Sequence, residues 1–213
     1  MTVNDAHMAQ VGADTEIIVV RDLAAICGRT EYHRAELGDD AVMRQSDVVA
    51  AFGARGPVLP APVGVVFRAA DSVVRWLELH YSALTDALTF VENRVGARVH
   101  ISRIDVNDSS VPAVTGGEDR RARRDVNLPP EVDVDAAAAE SLRILRTSAV
   151  ATIPLRADRA AGVLLSAAFL VEQDQWQQFR GEVDAQAKLT TAVRFELTGP
   201  WPPYDFVQMQ LGA

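Results

Sequence analysis

Apolar side chains recur at two spacings in the first part of this chain, and each spacing predicts a different element. Residues 16–21 (EIIVVR) form a short β-branched run typical of a strand, and residues 23–26 continue it as a second strand or a turn. Residues 40–53 carry an apolar face at helical spacing. Beyond three prolines, the valines of residues 63–67 predict a segment that enters a sheet.

The strongest helical pattern covers residues 71–93, with Asp71 or Ser72 as the predicted N-cap. Its apolar side chains alternate between three- and four-residue spacings, so they share one continuous stripe, and Trp76 flanks that stripe. A face this broad predicts burial against a sheet and leaves further surface for a second contact. The stripe comprises Val74, Leu77, Tyr81, Leu84, Leu88 and Val91.

The second half predicts strand, helix, strand, strand, helix and strand, which is the ferredoxin-like βαββαβ order. Continuous apolar character predicts a central strand at residues 163–171, whereas Pro154 predicts an edge strand. The apolar residues of the first strand change parity near Ser102, which requires a bulge or the end of the strand there. The predicted strands are 97–106, 150–155, 163–171 and 191–198, and the predicted helices are 135–149 and one capped by Asp174.

These elements predict an α+β fold with two domains. Residues 1–94 form a small N-terminal α+β unit with the order strand, helix, strand, helix. Residues 95–213 form a C-terminal ferredoxin-like βαββαβ domain. Within the second domain, residues 107–130 have the asparagine, serine, glycine and proline content of a linker.

Composition narrows the class of protein. The net charge of -8 and the pI near 5.0 argue against general affinity for nucleic acid or an anionic membrane, because both require concentrated positive charge. Cys27 is the only cysteine, so an internal disulfide and a cysteine-based metal cluster are excluded. The first ten residues lack the basic and apolar regions of a secretory signal, and a cytoplasmic location is expected.

Candidate catalytic and ligand-binding residues do not form a recognisable constellation. The four histidines have no partners at metal-ligand spacing, and no GxSxG nucleophile motif is present. Gly116 and Gly117 precede an arginine run, but acidic residues accompany that run and no Walker lysine follows, so a solvated linker is favoured over a phosphate site. We therefore expect no enzyme activity, no cofactor, no metal and no small-molecule substrate.

The last feature is residues 199–207, GPWPPYDFV. Three prolines in four positions fix φ and remove backbone donors, so the segment is expected to run extended across the surface with its aromatic rings against packed elements. Two roles fit it, a contact with a partner protein and a clasp between the two domains. Its candidate residues are Gly199, Pro200, Trp201, Pro202, Pro203, Tyr204 and Phe206.

Together with GPVLPAPVGVVF at residues 56–67 and the helix that follows, GPWPPYDFV resembles the gas vesicle protein F/L family. The resemblance covers most of residues 16–207 and implies an N-terminal α+β domain and a C-terminal ferredoxin-like domain. Where many relatives carry Glu-Trp after the long helix, this chain has Gly96 and Ala97. The upstream motif contributes Gly56, Pro57, Leu59, Pro60, Gly64 and Phe67 as candidate residues.

The resemblance implies a non-enzymatic accessory or minor structural protein in gas vesicle assembly. Its expected partners are the hydrophobic shell protein and other gas vesicle accessory proteins, at a cytoplasmic, vesicle-associated location. The alternative is a dimeric ferredoxin-like module that binds a small ligand as a sensor. On the helix of residues 71–93, the candidate contact residues are Val74, Trp76, Leu77, Tyr81, Leu84 and Leu88.

Overall fold

The structure, a computed structural model, describes residues 15–30, 38–104, 133–156 and 162–207. The described part is α+β, with five α-helices and two sheets. The chain divides into two compact units, Met1–Gly96 with Pro200–Ala213, and Ala97–Gly199. The tail thus groups with the first unit, although the sequence assigned it to the second domain. The predicted linker at residues 107–130 lies outside the described residues.

The first unit begins with an antiparallel hairpin of two strands, β1 (Thr15–Val20) and β2 (Leu23–Gly28), as the β-branched run predicted. Val20 pairs with Leu23, so Arg21 and Asp22 alone make the turn. Arg21 adopts a left-handed conformation with φ of 55°. A non-glycine residue is uncommon in this region and needs support from its surroundings.

Residues 63–67 do not form a strand, so the prediction of sheet pairing there is wrong. Gly64 has φ of 86° and lies in a turn, which the Val65 N–H closes by donating to the Pro62 carbonyl at 3.4 Å. The turn reverses the chain where a strand needs extension. In the described residues, the first sheet consequently contains β1 and β2 only.

Three helices complete the first unit: α1 (Asp39–Gly53), α2 (Ala70–Leu79) and α3 (Tyr81–Val91). The single helix predicted over residues 71–93 is interrupted at His80, which has φ of -103° and ψ of 11°. His80 Nδ1 lies 2.8 Å from the Trp76 carbonyl, so an Nδ1–H donates to an oxygen of the preceding turn. The predicted cap is also wrong, because α2 follows an extended Ala69 with no side-chain cap.

The second unit is built on a four-stranded sheet in the order β4-β5-β3-β6. β5 is interior, as its continuous apolar run predicted, and β4 is an edge strand, as Pro154 predicted. β3 ends at Arg103, and the half-exposed Ile104 follows, so the end of the strand explains the change in parity. The strands are β3 (Arg94–Arg103), β4 (Ala151–Pro154), β5 (Val163–Glu172) and β6 (Val193–Trp201).

Two helices, α4 (Val134–Leu145) and α5 (Trp176–Leu189), pack against β5 and against each other. Phe169 of β5 meets Phe179 of α5 with 5.2 Å between ring centroids. The N-cap of α4 is Asp133, whose carboxylate accepts from the Ala136 N–H at 3.1 Å. Asp174 does not cap α5, because residues Gln173–Gln175 form a 3-10 turn before that helix begins.

Candidate protein-interaction site

The predicted helix surface on α2 and α3 lies against the hairpin. Leu77 and Leu84 are buried with Val73, Val20 and Leu23 in one apolar cluster. The remaining candidates of this surface are partly buried side chains packed on that cluster: Val74, Trp76, Tyr81 and Leu88. The helical stripe therefore forms the core of the first unit, and only its half-buried members are accessible to a partner.

Trp76 connects this core to the upstream motif. Its indole meets Phe67 edge-on at 6.2 Å between centroids and stacks on the His80 ring at 4.6 Å. Among the described residues, the Trp76 Nε1 is a buried donor without an acceptor. Leu59 joins the same cluster, and Pro60 is buried. The GPVLP motif therefore packs against the helices that follow it.

Tyr81 fixes the strained turn of the hairpin. Its hydroxyl donates to Asp22 Oδ1 at 2.6 Å, and the Arg21 guanidinium lies 4.5 Å from the ring centroid. The hydrogen bond from Tyr81 lowers the pKa of Asp22, because it stabilises the carboxylate. The same bond raises the pKa of Tyr81. The long-range contact between the turn and α3 supplies the support that the left-handed Arg21 requires.

The tail leaves β6 and crosses close to β3. Gly199 and Pro200 belong to β6, which is compatible with proline because β6 is an edge strand. A Cβ on Gly96 would lie 3.4 Å from the carbonyl oxygens of both Trp201 and Pro202. A larger side chain at Gly96 would therefore displace the tail.

Beyond this crossing, the tail turns and reaches α1. Tyr204–Phe206 is a 3-10 turn, and the Tyr204 N–H donates to the Pro202 carbonyl at 2.7 Å. The Tyr204 hydroxyl hydrogen-bonds to Ser46 of α1, while partial burial raises the pKa of Tyr204. Pro203 is buried and Phe206 is half-buried, but Trp201 is 51% exposed. About half of the Trp201 side chain is therefore covered by its surroundings.

Both sequence motifs meet on α1. The Gln45 side-chain amide donates to the Ala61 carbonyl of the upstream motif, and the adjacent Ser46 bonds to Tyr204 of the tail. These contacts join residues that are far apart in sequence. No local pattern in the sequence marks Gln45 or Ser46, so α1 was not among the predicted site residues.

Other kinds of site find little support in the described residues. There, no group of three or more histidine, cysteine, aspartate or glutamate side chains is placed to hold a metal ion. No described helix is long and apolar enough to cross a membrane. The second unit has an open cavity of about 320 Å³. Its lining is Thr147, Ser148, Ala149, Val150, Glu172, Gln175, Gln178 and Phe179.

Comparison with known families decides the class of this protein. The family model described as "Gas vesicle synthesis protein GvpL/GvpF" matches residues 3–208. The chain belongs to this family. The resemblance carried by GPWPPYDFV and by residues 56–67 is thus confirmed, and both motifs of this GvpL/GvpF family member lie within the matched range.

Individual relatives agree with this assignment. Gas vesicle protein F2 of Halobacterium salinarum is 26% identical over 197 residues, which are 91% of this chain and 80% of that protein. The crystal structure of the gas vesicle protein GvpF from Anabaena sp. PCC7120 matches with a TM-score of 0.72 and 15% identity, covering 92% of this chain and 86% of that one. GvpF from Microcystis aeruginosa matches with a TM-score of 0.65 and 13% identity, covering 92% and 89%. The two structures support the α+β fold.

Proposed function

We propose that this chain is a non-enzymatic accessory or minor structural protein in gas vesicle assembly, and that it binds the hydrophobic shell protein or other gas vesicle accessory proteins. Membership in the GvpL/GvpF family supports the role in assembly. The observation that carries the binding role is that both motifs contact α1. Within the tail motif, Trp201 is left half exposed. The expected location is cytoplasmic and associated with the vesicle.

A shell protein that polymerises through apolar surfaces needs partners that cover or position those surfaces before assembly. Aromatic residues on a stiff segment suit such a contact, because they supply large contact area at low entropic cost. The prolines of the tail provide that stiffness. The alternative role of the tail as an interdomain clasp stays a prediction.

We also infer that residues 97–199 form a ferredoxin-like domain. The element order β3-α4-β4-β5-α5-β6 and the sheet order β4-β5-β3-β6 support this inference. In that order the first and third strands of the unit are central and the second and fourth are at the edges, as the ferredoxin-like βαββαβ topology requires.

Co-purification tests the binding role directly. The full chain would be co-expressed with a gas vesicle shell protein and captured through an affinity tag. We expect the wild-type chain to retain the shell protein. The Trp201→Ala variant should retain at least fivefold less of it. If the folded wild-type chain retains neither the shell protein nor another gas vesicle protein, the proposed binding role is wrong.

The second candidate function is the dimeric small-ligand or sensor module, and the cavity of the second unit favours it. Its volume of about 320 Å³ lies at the lower end of the range for small-molecule sites. A thermal-shift screen against metabolites separates the candidates, because a specific ligand raises the melting temperature by mass action. A reproducible shift that Gln178→Ala abolishes would favour the sensor.

A further inference from the structure

The outer face of α1 is apolar and exposed. Val42, Ser46 and Ala50 follow one another at four-residue spacing, so they form one stripe, and Met43 lies beside it. Val42 is 46% exposed and Met43 59% exposed, whereas Val49, next to the stripe on the side that faces the core, is 4% exposed. We call this stripe, together with Tyr204 of the tail, the α1–tail surface.

The shape of the α1–tail surface suits a helix as its partner. Ser46 and Ala50 are small, and the distance between packed helices shortens when the side chains at the contact are small. Val42 and Met43 stand at one end of the stripe, and the Tyr204 ring reaches its middle through the bond to Ser46. The small side chains of Ser46 and Ala50 therefore leave room for an apolar helix ridge beside the larger Val42, Met43 and Tyr204.

The charge around this surface indicates which partners it favours. Asp39, Asp40 and Asp47 are exposed on α1, and Arg44 is its one basic residue, so three negative charges and one positive charge leave a net charge of -2. Two of the acidic residues are in the first turn, where the helix dipole stabilises them. A bound segment that carries positive charge beside its apolar face would complement this rim.

We propose, resting on the function proposed above, that the α1–tail surface binds an amphipathic helix of a gas vesicle protein whose apolar face is flanked by lysine or arginine. A second copy of this chain fits less well, because two acidic rims would meet across a symmetric contact. An anionic lipid surface is disfavoured for the same electrostatic reason.

Two fluorescently labelled model peptides test the charge requirement. Both have the same helical apolar face of alanine and leucine, flanked by lysine in one and by glutamate in the other. Anisotropy titration of the full chain should give at least tenfold tighter binding of the lysine peptide at low salt. Asp39→Asn/Asp40→Asn/Asp47→Asn should weaken that binding at least fivefold and reduce its salt dependence, because three charges are removed.

A matched pair of double variants tests the apolar contact. Val42→Ser/Met43→Ser should weaken binding of the lysine peptide at least tenfold. Leu79→Ser/Leu189→Ser is the control, because these leucines are 80% and 77% exposed on other helices, and its affinity should stay within twofold of wild type. Unchanged urea midpoints would show that each variant folds.

The results separate the surface from the proposed function. Equal binding of both peptides, or unchanged affinity in Val42→Ser/Met43→Ser, would overturn the α1–tail surface. Co-purification of the shell protein that this variant does not reduce would overturn it too, while leaving the proposed function intact. Selective peptide binding without any captured gas vesicle protein would retain the surface and contradict the function. A dimer in sedimentation that the same variant dissociates would assign the surface to self-association and contradict the proposal.

Discussion

The two units of this chain bury their apolar side chains to different degrees. The largest fully buried side chains of the described residues all belong to Ala97–Gly199, including Phe169, Phe179 and Leu145. In the first unit, the leucines and valines of the apolar cluster under the hairpin are 5% to 8% exposed, and Val49 and Val91 are 4% and 3% exposed. The first unit also carries most of the exposed large apolar side chains, among them Met43 and Trp201.

This difference indicates that the two units have different roles, one in stability and one in binding. A closed core behind a four-stranded sheet supplies stability, whereas exposed apolar side chains reduce solubility unless a partner covers them. We therefore expect mutations in the second unit to act mainly on folding. Mutations on the surface of the first unit should act mainly on binding.

The largest expected effect is on the second unit. Phe179→Ala removes a ring that is 1% exposed and packs on Phe169. It should reduce the free energy of unfolding by about 3–5 kcal/mol, because it leaves a cavity. Urea denaturation measures this, with the exposed Leu189→Ala as the control on the same helix. A loss below about 1 kcal/mol would contradict the proposed role of this core.

The next effect concerns the crossing of the tail over Gly96. Gly96→Val places methyl groups beyond a Cβ that is already 3.4 Å from two carbonyl oxygens, so it should cost about 1–3 kcal/mol. Gly96→Ala is the control, because its Cβ makes ordinary contacts. Limited proteolysis should cleave the tail faster in the valine variant. Equal cleavage of both variants would show that the tail does not depend on this close approach.

Trp201→Ala should have a smaller effect on folding, because the side chain is 51% exposed. We expect a loss of about 1 kcal/mol in the free energy of unfolding, well below the cost of truncating a buried aromatic residue. Thermal and urea unfolding measure it. A loss as large as that of Phe179→Ala would remove the contrast between the two units.

The smallest effect is on the hairpin turn and depends on pH. The bond between Tyr81 and Asp22 lowers the pKa of Asp22 below its ordinary value of 3.8, so its contribution is present above that pH and is lost as the pH falls through the lowered pKa. The pKa of Tyr81 is raised above 10.0, so the contribution is also lost as the pH rises through that raised pKa.

Tyr81→Phe should therefore be slightly less stable than wild type between these limits. The difference in urea midpoint should shrink below pH 3.8. Asp22→Asn in the wild-type background provides a control that removes the same titration. A difference that stays constant down to pH 2.5 would show that the bond does not contribute.

The fold of the second unit was predictable because its pattern is local. Apolar residues of β5 occupy both parities, which indicates a strand covered on both faces, and Pro154 identified the edge. Phe179 and Val183 of α5 are four residues apart, which puts them on one face of a helix, and both are buried. In each case, the burial of a residue follows from its near neighbours in sequence.

The wrong predictions concern segments whose structure is decided by contacts between distant residues or by backbone conformation. Residues 63–67, which were predicted to form a strand, contain the turn at Gly64. The valines of this segment are compatible with a strand and with a turn. The break at His80 lies in its backbone conformation, with φ of -103° and ψ of 11°, which helical periodicity does not reveal. The candidate site was only partly predictable for the same reason. Ser46 belongs to it because of its hydrogen bond to Tyr204, a residue far away in the sequence.

The grouping of the tail with the first unit also affects the order of folding. That unit is assembled from Met1–Gly96 and from residues that follow Gly199, so the chain must synthesise all of Ala97–Gly199 before it can complete the unit. Tyr204 is therefore synthesised after every residue of the second unit, and Ser46 lacks this partner until then. The α1–tail surface is consequently among the last parts of the protein to become competent for binding.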